Sequence, residues 1–131
     1  MNDKVKILIT DDDPDFQQTM VFWLKAKGYI VSTAGSGEEA IQRVKHDKPD
    51  IVFLDLNMPE MDGVDTLIKI REFDKILPVV MISAHVDARR MADAAPHDVS
   101  GVFYKGKDFS ELGSLLQFLE VVLKKHKGLK K

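Results

Sequence analysis

The stretch ILITDDDPDF, residues 7–16, joins a short apolar run to four carboxylates in five positions. A continuous apolar run of this length is the pattern of a strand covered on both faces. Asp13 followed by Pro14 marks a helix start, because the carboxylate can cap and proline at the first helical position has no N–H to lose. Like charges packed so closely repel, and each raises the pKa of the others unless a cation or hydrogen-bond donors favour the ionised forms. The acidic run therefore asks for a positively charged partner.

The same alternation recurs along the chain. Apolar runs of strand length fall at Val5–Ile9, Tyr29–Thr33, Ile51–Leu54, Val79–Ile82 and Gly101–Tyr104. The segments between them have helical spacing. Phe16, Met20, Trp23 and Leu24 share a face of the first helix, which Gly28 ends. Ser36 and Glu39 have capping-box spacing ahead of Ala40, Ile41 and Val44. Val64, Leu67 and Ile68 form the stripe of a third helix, and a weakly patterned fourth covers Val86–Ala95 and is stopped by Pro96. A fifth runs from about Ser110 to Lys125, with Leu112, Leu115, Leu116, Leu119, Val122 and Leu123 inward. Strands alternating with helices imply an α/β fold, a parallel sheet with helices on both faces.

At 131 residues the expected organisation is a single domain over residues 1–125 and a basic tail over 126–131. A net charge of −2 gives no field for nucleic acid or anionic lipid. The absence of cysteine excludes disulfides, thiolate metal sites and a catalytic thiol. No stretch approaches the roughly 18 apolar residues of a membrane span, and MNDKVKILIT lacks the apolar segment of a secretory signal. The expectation is a cytoplasmic chain without membrane insertion or direct nucleic-acid contact.

In an open parallel sheet the ligand site lies beyond the carboxyl ends of the strands. Asp11 and Asp12 follow the first strand, Asp55 the third, Ser83 the fourth and Lys105 the fifth. Three carboxylates, a hydroxyl and an ammonium at one edge suit a hard cation together with a phosphate-like anion, and oxygen ligands favour Mg2+. Asp55 is the candidate nucleophile, able to form an acyl phosphate. Asp12 and Asp55 would hold Mg2+, Lys105 would pair with the product phosphate, and Ser83 would donate a hydrogen bond to it.

On ILITDDDP, IVFLDLNMPEMDG around Asp55, MISA at the fourth strand and Lys105 after the fifth, the chain resembles the receiver domains of two-component response regulators, of the single-domain chemotaxis type. The resemblance spans Val5 to Leu123. It implies a flavodoxin-like sheet in the order 2-1-3-4-5, phosphorylation of Asp55 by a sensor histidine kinase or phosphotransfer protein, and Mg2+ bound by Asp12, Asp55 and the Asn57 carbonyl. Asp11 would act on the ion through water. It also implies a protein that catalyses only its own phosphorylation and dephosphorylation, with an output face on the fourth and fifth helices and fifth strand for a downstream partner or a second copy. Phe109, Phe118 and Val121 make the last helix apolar on more than one side, as such a surface requires.

Two positions depart from the family. Gly106 follows Lys105 where proline is usual, leaving Lys107 able to compete for the phosphate, and Val102 stands where an aromatic ring usually reports phosphorylation. The segment AAPHDVSG is also atypical. These departures support a rival reading, a pseudo-receiver acting as a phosphorylation-independent interaction module. A Mg2+-dependent phosphohydrolase is a weaker rival, lacking an acid beside Asp55.

Blander readings remove other candidates. The acidic run is no calcium loop, since Phe16 and Phe22 fall at the glycine and bidentate glutamate positions. GVFYKGKD has an aromatic spacer and Asp108 where a phosphate loop needs serine or threonine, so it reads as strand plus helix cap. His46, His85, His97 and His126 lack metal-ligand spacing and are expected to face solvent, although by the resemblance His85 and Asn57 border the water that removes the phosphate. Met20, Met81 and Met91 are core filler.

Overall fold

The computed structural model describes residues 4–84, 88–105 and 112–130, with the side chains of all of these except 112 and 125–130. The expectations for His85, Val86 and Gly106 to Ser110 lie outside the described residues, as do those for the side chains of Leu112 and His126. The chain alternates strand and helix: β1 (Lys6–Thr10), α1 (Pro14–Ala26), β2 (Ile30–Ala34), α2 (Gly37–Asp47), β3 (Ile51–Asp55), α3 (Gly63–Arg71), β4 (Val79–Ser83), α4 (Ala88–Ala94), β5 (Gly101–Tyr104) and α5 (Leu112–Lys130). All strand pairs are parallel, in the order β2-β1-β3-β4-β5, the flavodoxin-like arrangement.

Alternate residues of each strand point to opposite faces, which explains the uninterrupted apolar runs. Leu8, Val52, Leu54, Val79 and Met81 pack with α2, α3 and Ala94, whereas Ile7, Ile9, Ile51, Phe53, Val80 and Ile82 pack with α1 and α5. The central β3 and β4 are buried along their whole length, and the edge strands β2 and β5 are only partly covered.

Helix starts follow the sequence closely. The Asp13 carboxylate accepts from the N–H groups of Asp15 and Phe16, and Ser36 Oγ accepts from Glu39 N. The Glu39 carboxylate reaches back to Gly35 N, one residue before the cap. Two helical stripes differ from expectation, those of α1 and α3. Trp23 is 44% exposed, because the buried face of α1 is centred on Phe16, Met20 and Leu24. Ile68 is 36% exposed and Ile70 takes its place in the core. Val122 and Phe118 are half-buried against the α1/α5 core, while Val121 is 63% exposed. Met20 and Met81 are fully buried, Met91 is half-buried and packs against the α2/α3 core, and Ile41 does likewise. His46 is exposed and His97 half-buried.

Pro96 does not simply end α4. Residues Ala95–His97 tighten into a 3-10 turn, and Asp98 follows in the left-handed region at φ 61. The turn is fastened by Arg71, a nearly buried guanidinium that donates to the carbonyls of His97, Asp98 and Asp74. Burial holds the Arg71 pKa below the usual guanidinium range, against the pull of Asp98 and Asp74. The atypical segment thus closes the approach to β5.

Close approach leaves no room for a side chain at Gly63 or Gly101. A Cβ on Gly63 would lie 2.3 Å from the Asp55 carbonyl oxygen, and one on Gly101 would lie 2.1 Å from the Phe118 ring. Glu60, in the same loop as Gly63, adopts φ 66, a conformation costly for a side chain with Cβ. Glu60→Gly is therefore expected to stabilise the protein by a few tenths to about 1 kcal/mol in urea denaturation. Gly63→Ala, which must push backbone away from backbone, is expected to destabilise it by about 2 kcal/mol or more in the same assay.

Candidate functional site

Parallel register carries the polar strand ends to one edge. Leu54 of β3 lies between Thr10 of β1 and Met81 of β4, and Ser83 pairs with Tyr104 of β5, so Asp11, Asp55, Ser83 and Lys105 emerge together. Asp11 and Ser83 are fully buried and Asp55 is 2% exposed, while Asp12 and Asn57 face solvent. Oxygens of Asp11, Asp12 and Asp55 lie within 4.8 Å of one another, close enough to share one cation.

Asp11 and Asp55 are held alike. Asp11 Oδ1 accepts from Asp13 N at 2.9 Å, and Asp55 Oδ1 accepts from Asn57 N at 3.1 Å. Each carboxylate thereby fixes the turn that follows its own strand. Their remaining oxygens converge on Lys105, whose Nζ is 2.6 Å from Asp11 Oδ2 and 3.4 Å from Asp55 Oδ2. The ammonium also lies 4.7 Å over the Phe16 ring, a cation–π contact from the helix that Asp13 starts. Ser83 Oγ donates to Asn57 Oδ1 at 3.2 Å.

The electrostatics answer the question raised by the acidic run. Burial, followed by repulsion from Asp11, raises the Asp55 pKa to about 7, although Lys105 and the Asn57 N–H oppose the rise. Burial acts to lower the Lys105 pKa, but Asp11 and Asp55 outweigh it and raise it. Lys105 alone thus leaves the pair of carboxylates short of positive charge, and the donor set of carboxylates suits a hard divalent cation.

Residues absent from the sequence reading complete the surroundings. Gly63 closes the loop after Asp55 by donating its N–H to the Leu56 carbonyl at 3.1 Å, and only its place in MPEMDG hinted at this. Asp62 caps α3 and receives both arms of Arg90 from α4, Nε to Oδ2 at 3.0 Å and Nη2 to Oδ1 at 2.8 Å. Burial pushes the Asp62 pKa up, but the Arg90 fork and the Asp65 N–H bring it below the usual carboxylate range. On β5, Val102 and Tyr104 share the exposed face and Phe103 packs inward against Phe118, ring centroids 6.2 Å apart.

Residues 7–117 match the response regulator receiver domain. The chain belongs to this family. Receiver domains are phosphorylation-based signalling modules of two-component systems that interact with histidine kinases and downstream effectors, and they are not classical enzymes. The chain is 30% identical over 116 residues to the transcriptional regulatory protein ZraR of Escherichia coli (strain K12), covering 88% of this chain and 26% of that protein. It is 34% identical over 79 residues to the alkaline phosphatase synthesis transcriptional regulatory protein PhoP of Bacillus subtilis, covering 60% of this chain and 33% of the relative. It therefore spans a quarter to a third of the length of these relatives. Among solved structures, a CheY-like receiver domain from Methanospirillum hungatei superposes with a TM-score of 0.89 at 18% identity, covering 96% of this chain and 98% of that one. The chemotaxis protein CheY4 of Vibrio cholerae gives 0.79 at 26% identity, covering 88% and 98%. The acidic pocket is of the kind at which receiver domains bind Mg2+.

The raised Asp55 pKa has a stability consequence. Between about pH 4 and pH 7 the unfolded chain ionises Asp55 while the folded chain keeps it protonated, so the native protein loses stability as pH rises through that window. In the absence of divalent ions Asp55→Asn is expected to be the more stable protein above pH 7, by on the order of 2–4 kcal/mol. The difference should shrink towards pH 4, and urea melts of both proteins across pH 4–8 measure it.

Proposed function

We propose that the chain is a phosphorylation-dependent signalling switch whose phosphoacceptor is Asp55. The observation that carries this reading is the convergence of Asp11, Asp12, Asp55 and Lys105 on one pocket at the carboxyl edge of the sheet. An oxygen of Asp55 attacks the phosphorus of a phosphohistidine on a sensor kinase or phosphotransfer protein. A P–O bond forms, the P–N bond breaks, and the departing imidazole nitrogen keeps the electron pair and takes a proton. Asp12, Asp55 and the Asn57 carbonyl would hold Mg2+, with Asp11 behind a water. When bound, the ion neutralises charge on the phosphoryl oxygens.

The chain's own groups then exchange partners. Lys105 leaves Asp11 for a phosphoryl oxygen, and the Ser83 hydroxyl turns from Asn57 Oδ1 to donate to another. Both moves start from contacts present in the unphosphorylated chain. Movement of β4 and β5 ends relative to α4 would favour a second arrangement of the face made by α4, β5 and α5, where Val102, Tyr104 and Val121 are exposed for a downstream partner or a second copy. Val102 cannot act by ring rotation, and this favours, as a second reading, a pseudo-receiver that signals through the same face without phosphate. The complete acidic pocket weighs against it. No helix among the described residues is long and apolar enough to cross a membrane, in keeping with a cytoplasmic role.

Intact-mass analysis after incubation with acetyl phosphate and Mg2+ tests the reading. One added phosphoryl group is expected on the native chain, and none on Asp55→Asn or with a chelator present. Lys105→Met is expected to accept phosphate at least about tenfold more slowly, since a buried charge partner of the transferred group is lost. A native chain that gains no mass while still binding Mg2+ would sink the proposal.

A further inference from the structure

A second surface lies away from the acidic edge, along the outer side of β2. As the last strand of the sheet, β2 pairs with β1 and has no neighbour on its other side among the described residues. Ile30 N bonds back to Val5 O, and Ala34 O accepts from Asp11 N, so by the alternation of parallel pairing Val31 and Thr33 turn their N–H and C=O groups outward. Sheet edges are commonly protected by charged side chains or proline, yet this strand reads IVSTA.

A groove of about 850 Å³ runs along Val31, Ser32 and Thr33, walled by Val21 and Phe22 of α1 on one side and Arg43 of α2 on the other. Phe22 is 70% exposed, so the α1 wall offers an apolar contact. The charged residues lining the groove are Lys25 and Arg43, both cationic. Arg43 has Glu39 at 3.9 Å and Asp47 at 3.5 Å, but these are exposed pairs that a better-placed carboxylate can replace.

We propose that this edge is a docking site for an extended acidic segment of a partner protein, which adds as a strand beside β2. Its main chain bonds the outward groups of Val31 and Thr33, its apolar side chains lie on Val21 and Phe22, and its carboxylates meet Lys25 and Arg43. Charge favours an acidic segment over a second copy: two β2 edges facing each other across a two-fold axis would bring Lys25 and Arg43 of both copies into one groove and supply no carboxylate beyond the Glu39 and Asp47 already beside Arg43. The site is independent of Asp55, so it can be tested on the unphosphorylated protein.

The experiment is an amide NMR titration of the full chain with the acetylated hexapeptide EVEIEV, beside KVKIKV and an EVEIEV peptide N-methylated at alternate residues. Shifts centred on Val31 and Thr33 with EVEIEV alone are expected, along with slowed exchange of those two amides. Lys25→Glu combined with Arg43→Glu should weaken binding at least about tenfold. Val31→Pro, which removes an outward N–H and no bond to β1, should abolish it. The N-methylated peptide makes the same test without altering the protein. No shift at these amides up to about 1 mM peptide, equal binding of KVKIKV, or undiminished binding of the N-methylated peptide would overturn the assignment. Self-association through the same amides on concentration would also overturn it.

Discussion

Asp11 and Asp55 are two carboxylates with almost no access to solvent, and a single ammonium, Lys105, stands between them. Burying charge is costly unless it is paired, so the sheet must deliver these groups to one point or fail to fold around them. Asp11 comes from the end of β1 and Asp55 from β3 beside it, but Lys105 comes from β5, with β4 intervening. The lysine spans that gap with its ammonium held over the Phe16 ring. A strand slipped by one residue would turn each of these groups to the other face. The pocket therefore ties strand order, register and the first helix together.

The large features were legible because they follow from local rules. Continuous apolar runs marked strands with two covered faces, and Asp13–Pro14 and Ser36 with Glu39 marked helix starts. The convergence of Asp11, Asp12, Asp55, Ser83 and Lys105 followed from their places after strands. What escaped notice depended on contacts between segments distant in sequence. Trp23 and Ile68 have the spacing of buried residues, yet in the folded chain Trp23 is left half-exposed beside the buried Leu24, and Ile70 is buried where Ile68 is not. Arg71 looks like an ordinary surface cation until the His97 and Asp98 carbonyls are brought to it across 26 and 27 positions. Phe16 reads as core filler, and nothing in the chain says that an ammonium will lie over its ring.

The helix α4 is held in an unusual way. Among its described residues only Ala94 is fully buried, and its firmest tie to the body is the fork from Arg90 to Asp62, with Asp65 and Asp93 nearby. A helix fixed by charge pairs more than by apolar packing can be repositioned without opening a core, because ion pairs near solvent exchange partners at little cost. Asp62 also caps α3 and lies in the loop that follows Asp55. Charge in the loop after Asp55 and the seating of α4 thus bear on the same carboxylate.

That loop is closed on itself. Gly63 donates to Leu56 and has no room for a Cβ beside the Asp55 carbonyl, so the residues between them form a staple whose two ends are fixed to each other. Side chains on the staple point outward in part and can be exchanged, as Met61 and Glu60 border a surface groove. Its span cannot change, because one residue more or fewer would part the two ends and carry Asp55 out of alignment with Lys105. Over evolutionary or engineering change, this segment should tolerate substitution and resist insertion, the reverse of what is usual for a surface loop.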